Sequence, residues 1–139
     1  MAKKPFFTIE TIQLKKISFE KINKFEIKDQ NSEIKADVKS SVIKFNDKEY
    51  YLQILISHSI SNEVKEIAKS EISLEANFSI QEDYEKEYKK IIANVLEILY
   101  TKGTEILNST YRKAHLPFHC YEFVTLDEPK NKDIIQGTK

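Results

Sequence analysis

His115, His119 and Cys120, gathered in the stretch HLPFHC, are the residues whose types and spacing come closest to a metal site. A closed zinc site takes four nitrogen or sulfur ligands and this stretch supplies three, so the reading it supports is a loop without metal. The same stretch sets Cys120 beside His119, the pair a thiol nucleophile and its base would need. Neighbours in an extended segment point to opposite sides, which keeps such a pair apart. His58, the third histidine, stands alone in an alternating stretch. Carboxylates are plentiful but interleave with lysines, as on solvated strand and helix faces, and there is no glycine-rich phosphate loop. The sequence therefore points away from catalysis and from any cofactor, and towards binding.

Bulk properties narrow the partners. At 139 residues the chain is expected to form one domain over residues 1–124, followed by a loose polar tail over 125–139. The 22 basic and 22 acidic residues cancel and are intermixed, leaving no basic block to track a phosphate backbone, so nucleic acid is not an expected partner. No apolar run reaches the roughly 18 residues of a membrane span, and the start MAKKPFFTIETIQ lacks the apolar core and cleavage site of a signal peptide. The single Cys120 fits a reducing compartment, and a cytoplasmic location is expected.

Two glycines and three prolines require long elements with turns made mostly by Asn, Asp, Ser and Lys. From Tyr84 to Tyr111 the residues Tyr88, Ile91, Ile92, Val95, Leu99 and Ile106 recur at steps of three and four, which predicts a long amphipathic helix. Gly103 inside it costs about 1 kcal/mol relative to alanine, so it is either tolerated or marks a close approach to a neighbouring helix. Four strands are expected before the helix. Phe6–Phe19 has a period near two with Ile9 and Ile17 on one side and Ile12 and Leu14 on the other, a face switch that a β-bulge would produce. In the second, Ile34, Ala36, Val38 and Val42 share a face opposite Glu33, Lys35, Asp37 and Lys39. Tyr50–Ile60 alternates after an Asn46–Lys48 turn, and Val64–Ile80 alternates with Ala68, Ile72, Leu74, Ala76, Phe78 and Ile80 on one side. The expected fold is α+β: a four-stranded antiparallel sheet followed by one long helix packed on the even face of the strands. Phe6, Phe7, Ile17, Phe19, Ile43, Phe45, Tyr51, Leu55 and Ile67 then remain for the second face or the strand ends. That surplus implies another copy of the chain or an apolar ligand.

These residues also carry a resemblance. QLKKISFE at Gln13–Glu20, SEIKADVKS at Ser32–Ser40, Phe78–Ile80, Asn94–Leu96 and HLPFHCYEF at His115–Phe123 together resemble the SecB-like protein-export chaperones, in order and in spacing. The resemblance implies an ATP-independent chaperone that holds unfolded clients in apolar grooves and assembles as a homotetramer, a dimer of dimers. By position it implies that Ile34, Ala36 and Val38 line part of the client groove, although the alternation alone assigns them to the core. It also implies that Glu20 and Glu71 meet the SecA translocation motor. Lys16 and Lys69 depart from the pattern by adding positive charge to a patch that is acidic in typical members, which opposes docking to that motor. The helix that follows the proline loop in the family is replaced by YEFVTLDEPKNKDII, which lacks a helical period. Such divergence fits relatives paired with toxin-antitoxin systems. The alternative to a general holdase is an interaction module dedicated to one partner, an antitoxin or a secretion component. A hot-dog thioesterase also wraps a sheet around a helix, but there the helix follows the first strand, whereas here it follows the fourth.

Overall fold

Alternation at period two, switching to 3.6 near residue 88, organises the chain as expected. A computed structural model describes residues 6–118 and 128–138. In chain order these form β1 (Phe7–Lys21), β2 (Glu33–Lys44), β3 (Glu49–Ser61), β4 (Glu66–Ile80), α1 (Tyr88–Lys113) and β5 (Ile134–Gln136). The sheet runs β1-β4-β3-β2-β5. Its four long strands are antiparallel, and β5, a fifth strand that the sequence reading did not include, pairs parallel to the end of β2 through Val42, Ile43 and Lys44.

The turns are built by the residues expected to build them. Asn46 Oδ1 accepts the Lys48 and Glu49 backbone N–H groups, both at 2.8 Å, closing the β2–β3 hairpin. Asn62 Oδ1 does the same for Val64 and Lys65 at 2.8 and 2.9 Å between β3 and β4. Both are Asx turns, in which the side chain replaces a backbone acceptor.

The even residues of β3 and β4 form the floor of the core: Leu52, Ile54, Ile56, Ile72, Ala76 and Phe78 are all essentially inaccessible. From α1, Ile91, Ile92, Val95 and Leu99 press onto them as the periodicity predicts, joined by Leu96, Leu107 and Tyr111. Ile106 is only half-buried. The helix begins at Tyr88 rather than Tyr84, because Glu82–Glu87 takes a 3-10 conformation that carries Glu82, Asp83 and Glu85 at the positive end of the helix dipole.

Strand β1 contains two bulges, between Ile9 and Thr11 and between Leu14 and Lys16, where one was expected. Each reverses the alternation, so Phe7, Ile9, Ile12, Leu14, Ile17 and Phe19 all pair with even residues of β4 and share the helix-facing side. This corrects the assignment of Phe7, Ile17 and Phe19 to the second face. Of the other members of that surplus, Ile43, Phe45 and Leu55 are half-buried. Phe6 packs on Tyr84 at 4.4 Å between ring centroids, Ile67 is completely buried, and Tyr51 donates a 2.6 Å hydrogen bond to Glu75.

Two residues at φ-sensitive or crowded places carry opposite expectations. Gly103 faces the sheet rather than another helix, and a Cβ there would lie 2.7 Å from Ile56 Cδ1 and 3.4 Å from Leu74 Cδ1. His115 stops α1 with φ 57°, its N–H bonded to Arg112 O at 3.1 Å while Leu116 N–H reaches Tyr111 O at 2.9 Å. This is a Schellman cap with a histidine where glycine is least strained. Gly103→Ala should therefore lower stability by about 1 kcal/mol, overpacking outweighing the helix-propensity gain, and adding Ile56→Val should relieve part of the loss. His115→Gly should raise stability by about 1 kcal/mol, and urea denaturation of the four proteins reads all three effects.

Candidate functional site

Helix α1 is narrower than the sheet it packs on and leaves part of the helix-facing side uncovered. The helix packs over β4 and β3 and touches β1, so both flanks of the helix-facing side stay open. On the β1 flank Leu14 is 49% exposed and Ile17 is 42% exposed. On the β2 flank Ala36 is exposed, and Ile34 and Val38 are half-buried against the core. Ile34, Ala36 and Val38 pair with Ile60, His58 and Ile56 of β3, which makes them the outer row of the same apolar floor. The core reading of the alternation thus holds for Ile34 and Val38, whereas Ala36 is exposed and lies outside the core.

One end of this floor is anchored by a buried polar cluster that the sequence reading did not assemble. The Tyr111 hydroxyl, near the end of α1, lies 2.9 Å from His58 Nδ1 and 2.6 Å from Ser70 Oγ, so it links β3 and β4 to the helix. All three residues are buried, with Phe19 packed on Tyr111 at 6.0 Å between centroids. Burial pushes the His58 imidazole below its ordinary value of 6.5. The detectable signal was a histidine and a serine on the otherwise apolar even rows of β3 and β4. At the opposite end Tyr50, Phe78 and Tyr88 stack, and burial raises the Tyr50 hydroxyl to about 12.

The far face of the sheet is polar and internally bonded. Tyr51 donates to Glu75 at 2.6 Å, Gln53 to Ser73 at 3.2 Å, Lys15 to Gln53 at 3.3 Å and Asn77 to Thr11 at 3.1 Å. Glu20 lies opposite Lys69 across the β1–β4 ladder, and Glu71 is ion-paired with Lys16 at 3.2 Å. Glu20 and Glu71 line one groove of 540 Å³ with Ser18, Ser57 and Ser59, and Lys35, Asp37 and Lys69 stand in the same lining. The two residues proposed for a motor contact are therefore together, but their charge is balanced by neighbouring lysines.

A third constellation sits where the loops at the β2 start and the β3–β4 turn meet. Asp29 is buried and accepts from Lys65 Nζ at 2.9 Å, Asn62 Nδ2 at 3.1 Å and the Glu26 N–H at 2.9 Å. The hydrogen bond from Lys65 is the largest cause holding its carboxyl below the usual carboxylate range. Every oxygen of that carboxylate is engaged, so it serves as a staple for the loops rather than a free acid. His115 is exposed as the helix stop, while His119 and Cys120 lie outside the described residues. Among the described residues no group of three His, Cys, Asp or Glu side chains is placed to hold a metal ion, and no helix is long and apolar enough to cross a membrane.

No family model matches the chain, and no curated protein matches it in sequence. Among solved structures it is similar to the SecB-like chaperone Rv1957 of Mycobacterium tuberculosis, determined in complex with a ChAD peptide from the Rv1956 HigA1 antitoxin. The TM-score is 0.66 at 16% identity, covering 89% of this chain and 93% of that one. A protein of unknown function from Streptococcus agalactiae matches with a TM-score of 0.42 at 16% identity, over 84% of this chain and 97% of that one. The match to Rv1957 gives the chain a SecB-like fold.

The lowered His58 pKa makes a pH prediction. The unfolded chain takes up a proton near pH 6.5 and the folded chain resists it, so stability should be level above that value and fall as the pH drops below it. Urea denaturation at pH 7.5 and 5.5 should show this loss, and His58→Gln should lack that part of the slope.

Proposed function

We propose that the protein is an ATP-independent holdase that captures non-native polypeptide on the apolar row Ile34, Ala36 and Val38. The observation that carries this reading is the uncovered apolar flank of the helix-facing floor, in a fold shared with a SecB-like chaperone. An unfolded chain offers scattered apolar side chains and unpaired backbone, and a half-exposed apolar row gains by covering itself with them. The opposite flank, with Leu14 and Ile17, is proposed to meet a second copy, as in a dimer of dimers. The protein is proposed to work in the cytoplasm. Glu20 and Glu71 sit with Asp37 among Lys16, Lys35 and Lys69, three charges of each sign, so we propose that capture does not depend on docking to the SecA motor.

A second reading is favoured by one observation: Rv1957 is seen with a peptide from an antitoxin. In that reading this chain keeps the fold but serves one partner, an antitoxin or a secretion component. Light scattering of an unfolding client separates the two. A general holdase suppresses aggregation without nucleotide, whereas a dedicated module leaves it unchanged and retains one stoichiometric partner on purification.

The row itself is tested by charge. Ala36→Glu places a carboxylate on the exposed centre of the strip and should weaken suppression about tenfold. Ser41→Glu, on the other face of the same strand, should leave it unchanged. Equal activity of both variants would remove these residues from the client site.

A further inference from the structure

The outer edge of β2 already carries a strand, and that strand is the chain's own. Phe45 N–H donates inward to Glu49 O of β3 at 2.9 Å, and Gly137 N–H donates to Lys44 O from the outer side at 2.8 Å. Backbone groups alternate in direction along a strand, so the even residues of β2 turn theirs outward. Lys44 and Val42 are taken by β5, which pairs with residues 42–44 only. Ile34, Ala36, Val38 and Ser40 present the same groups to an edge that no described residue pairs with.

The occupant is lightly held. Besides its three pairs, Gln136 Nε2 donates to Phe45 O at 3.3 Å, Tyr88 donates to Asn131 Oδ1 at 3.3 Å, and Ile134 packs against the core. Ile135 is 60% exposed. The long strands instead pair over a dozen residues or so. A segment with so few buried contacts belongs to the low-stability end of a structure. It also blocks the path of any strand growing along β2, because the Asn131–Asp133 turn stands just before β5 at Val42.

We propose that the C-terminal segment Lys130–Thr138 is a built-in competitor for the β2 edge, displaced when an extended polypeptide adds to that strand parallel to β2. The incoming strand would bond to the outward groups of the residues that form the apolar row, and its alternate side chains would cover Ile34, Ala36 and Val38. The inference rests on the holdase reading for the identity of the incoming chain. Affinity for a long extended client is lowered by the fraction of time the tail is docked.

Gly137 gives the test its handle. A Cβ at this position would run into Ile43 Cγ2 and lie 3.2 Å from the Phe45 ring, so Gly137→Ala should loosen the tail at residues 43–45 while leaving the backbone edge of residues 34–40 as it is. Gly137→Pro also deletes the N–H that bonds Lys44 O. With full-length proteins, fluorescence anisotropy measures binding of a reduced, carboxymethylated and therefore unfolded polypeptide. Hydrogen exchange at residues 134–137 reports release of the tail. Both variants should exchange faster there and bind the polypeptide about fivefold more tightly, and a synthetic peptide of residues 130–138 should reverse the gain. Equal binding by all three proteins despite faster tail exchange would overturn the competitor role and leave the holdase reading standing. Unchanged tail exchange in both variants would overturn it too, since the tail would then be fixed. No binding by any of them would remove both.

Discussion

The structure depends on one apolar layer: the even side chains of β3 and β4 pressed under α1. Gly103 sets how closely the two approach, because Ile56 Cδ1 occupies the place where another residue would put its Cβ. A helix is about 10 Å wide and strands stand about 4.8 Å apart, so one helix covers roughly two strands. The four long strands are wider than that. Two outer strands must then contribute apolar residues that the helix cannot hide, and Leu14 and Ile17 on β1 and Ala36 on β2 are the visible result. The exposed flanks follow from the geometry of one helix on this sheet.

The same constraint explains the polar far face. With no second layer of described helix to cover it, that face is satisfied by side chains that bond one another across the strands, Tyr51 to Glu75 and Gln53 to Ser73. Burial and the Glu75 carboxylate together raise the Tyr51 hydroxyl to about 12, so it remains a donor throughout the physiological range. The groove on this face mixes Glu20, Asp37 and Glu71 with Lys35 and Lys69, and Lys16 pairs with Glu71. Charges so placed attract neither an acidic nor a basic surface strongly, and exposed pairs of this kind contribute little.

Much of this was legible because period two and period 3.6 are strong signals. β2, β3, β4 and most of α1 follow directly from where Val42, Leu52, Ile72 and Val95 fall. β1 was harder. A bulge shifts every later residue to the other side: the first makes Ile9 and Leu14 look opposed, and the second makes Leu14 and Ile17 look opposed, although all three share a face. The fifth strand was invisible for a different reason: three residues carry no period, and pairing of Ile134 with Val42 is decided by contacts distant in sequence. His115 read as a possible ligand because residue type was the only clue, whereas its role as a helix stop lies in a backbone angle.

The buried polar cluster joins the sheet to the end of the helix. Tyr111 joins Ser70 on β4 and His58 on β3, and His58 is paired across the ladder with Ala36, the exposed centre of the β2 row. An apolar residue in place of His58 would add to the floor but would leave the Tyr111 and Ser70 hydroxyls short of a partner in a dry site. The cluster thus fixes the end of α1 beside the proposed client row, and it does so with hydrogen bonds whose directions admit few alternative packings. A purely apolar seam at this point would hold the helix as firmly but locate it less well. An edge that took up extended chains, as proposed, would need that location, because the floor would have to keep its register while strands at its margin exchange.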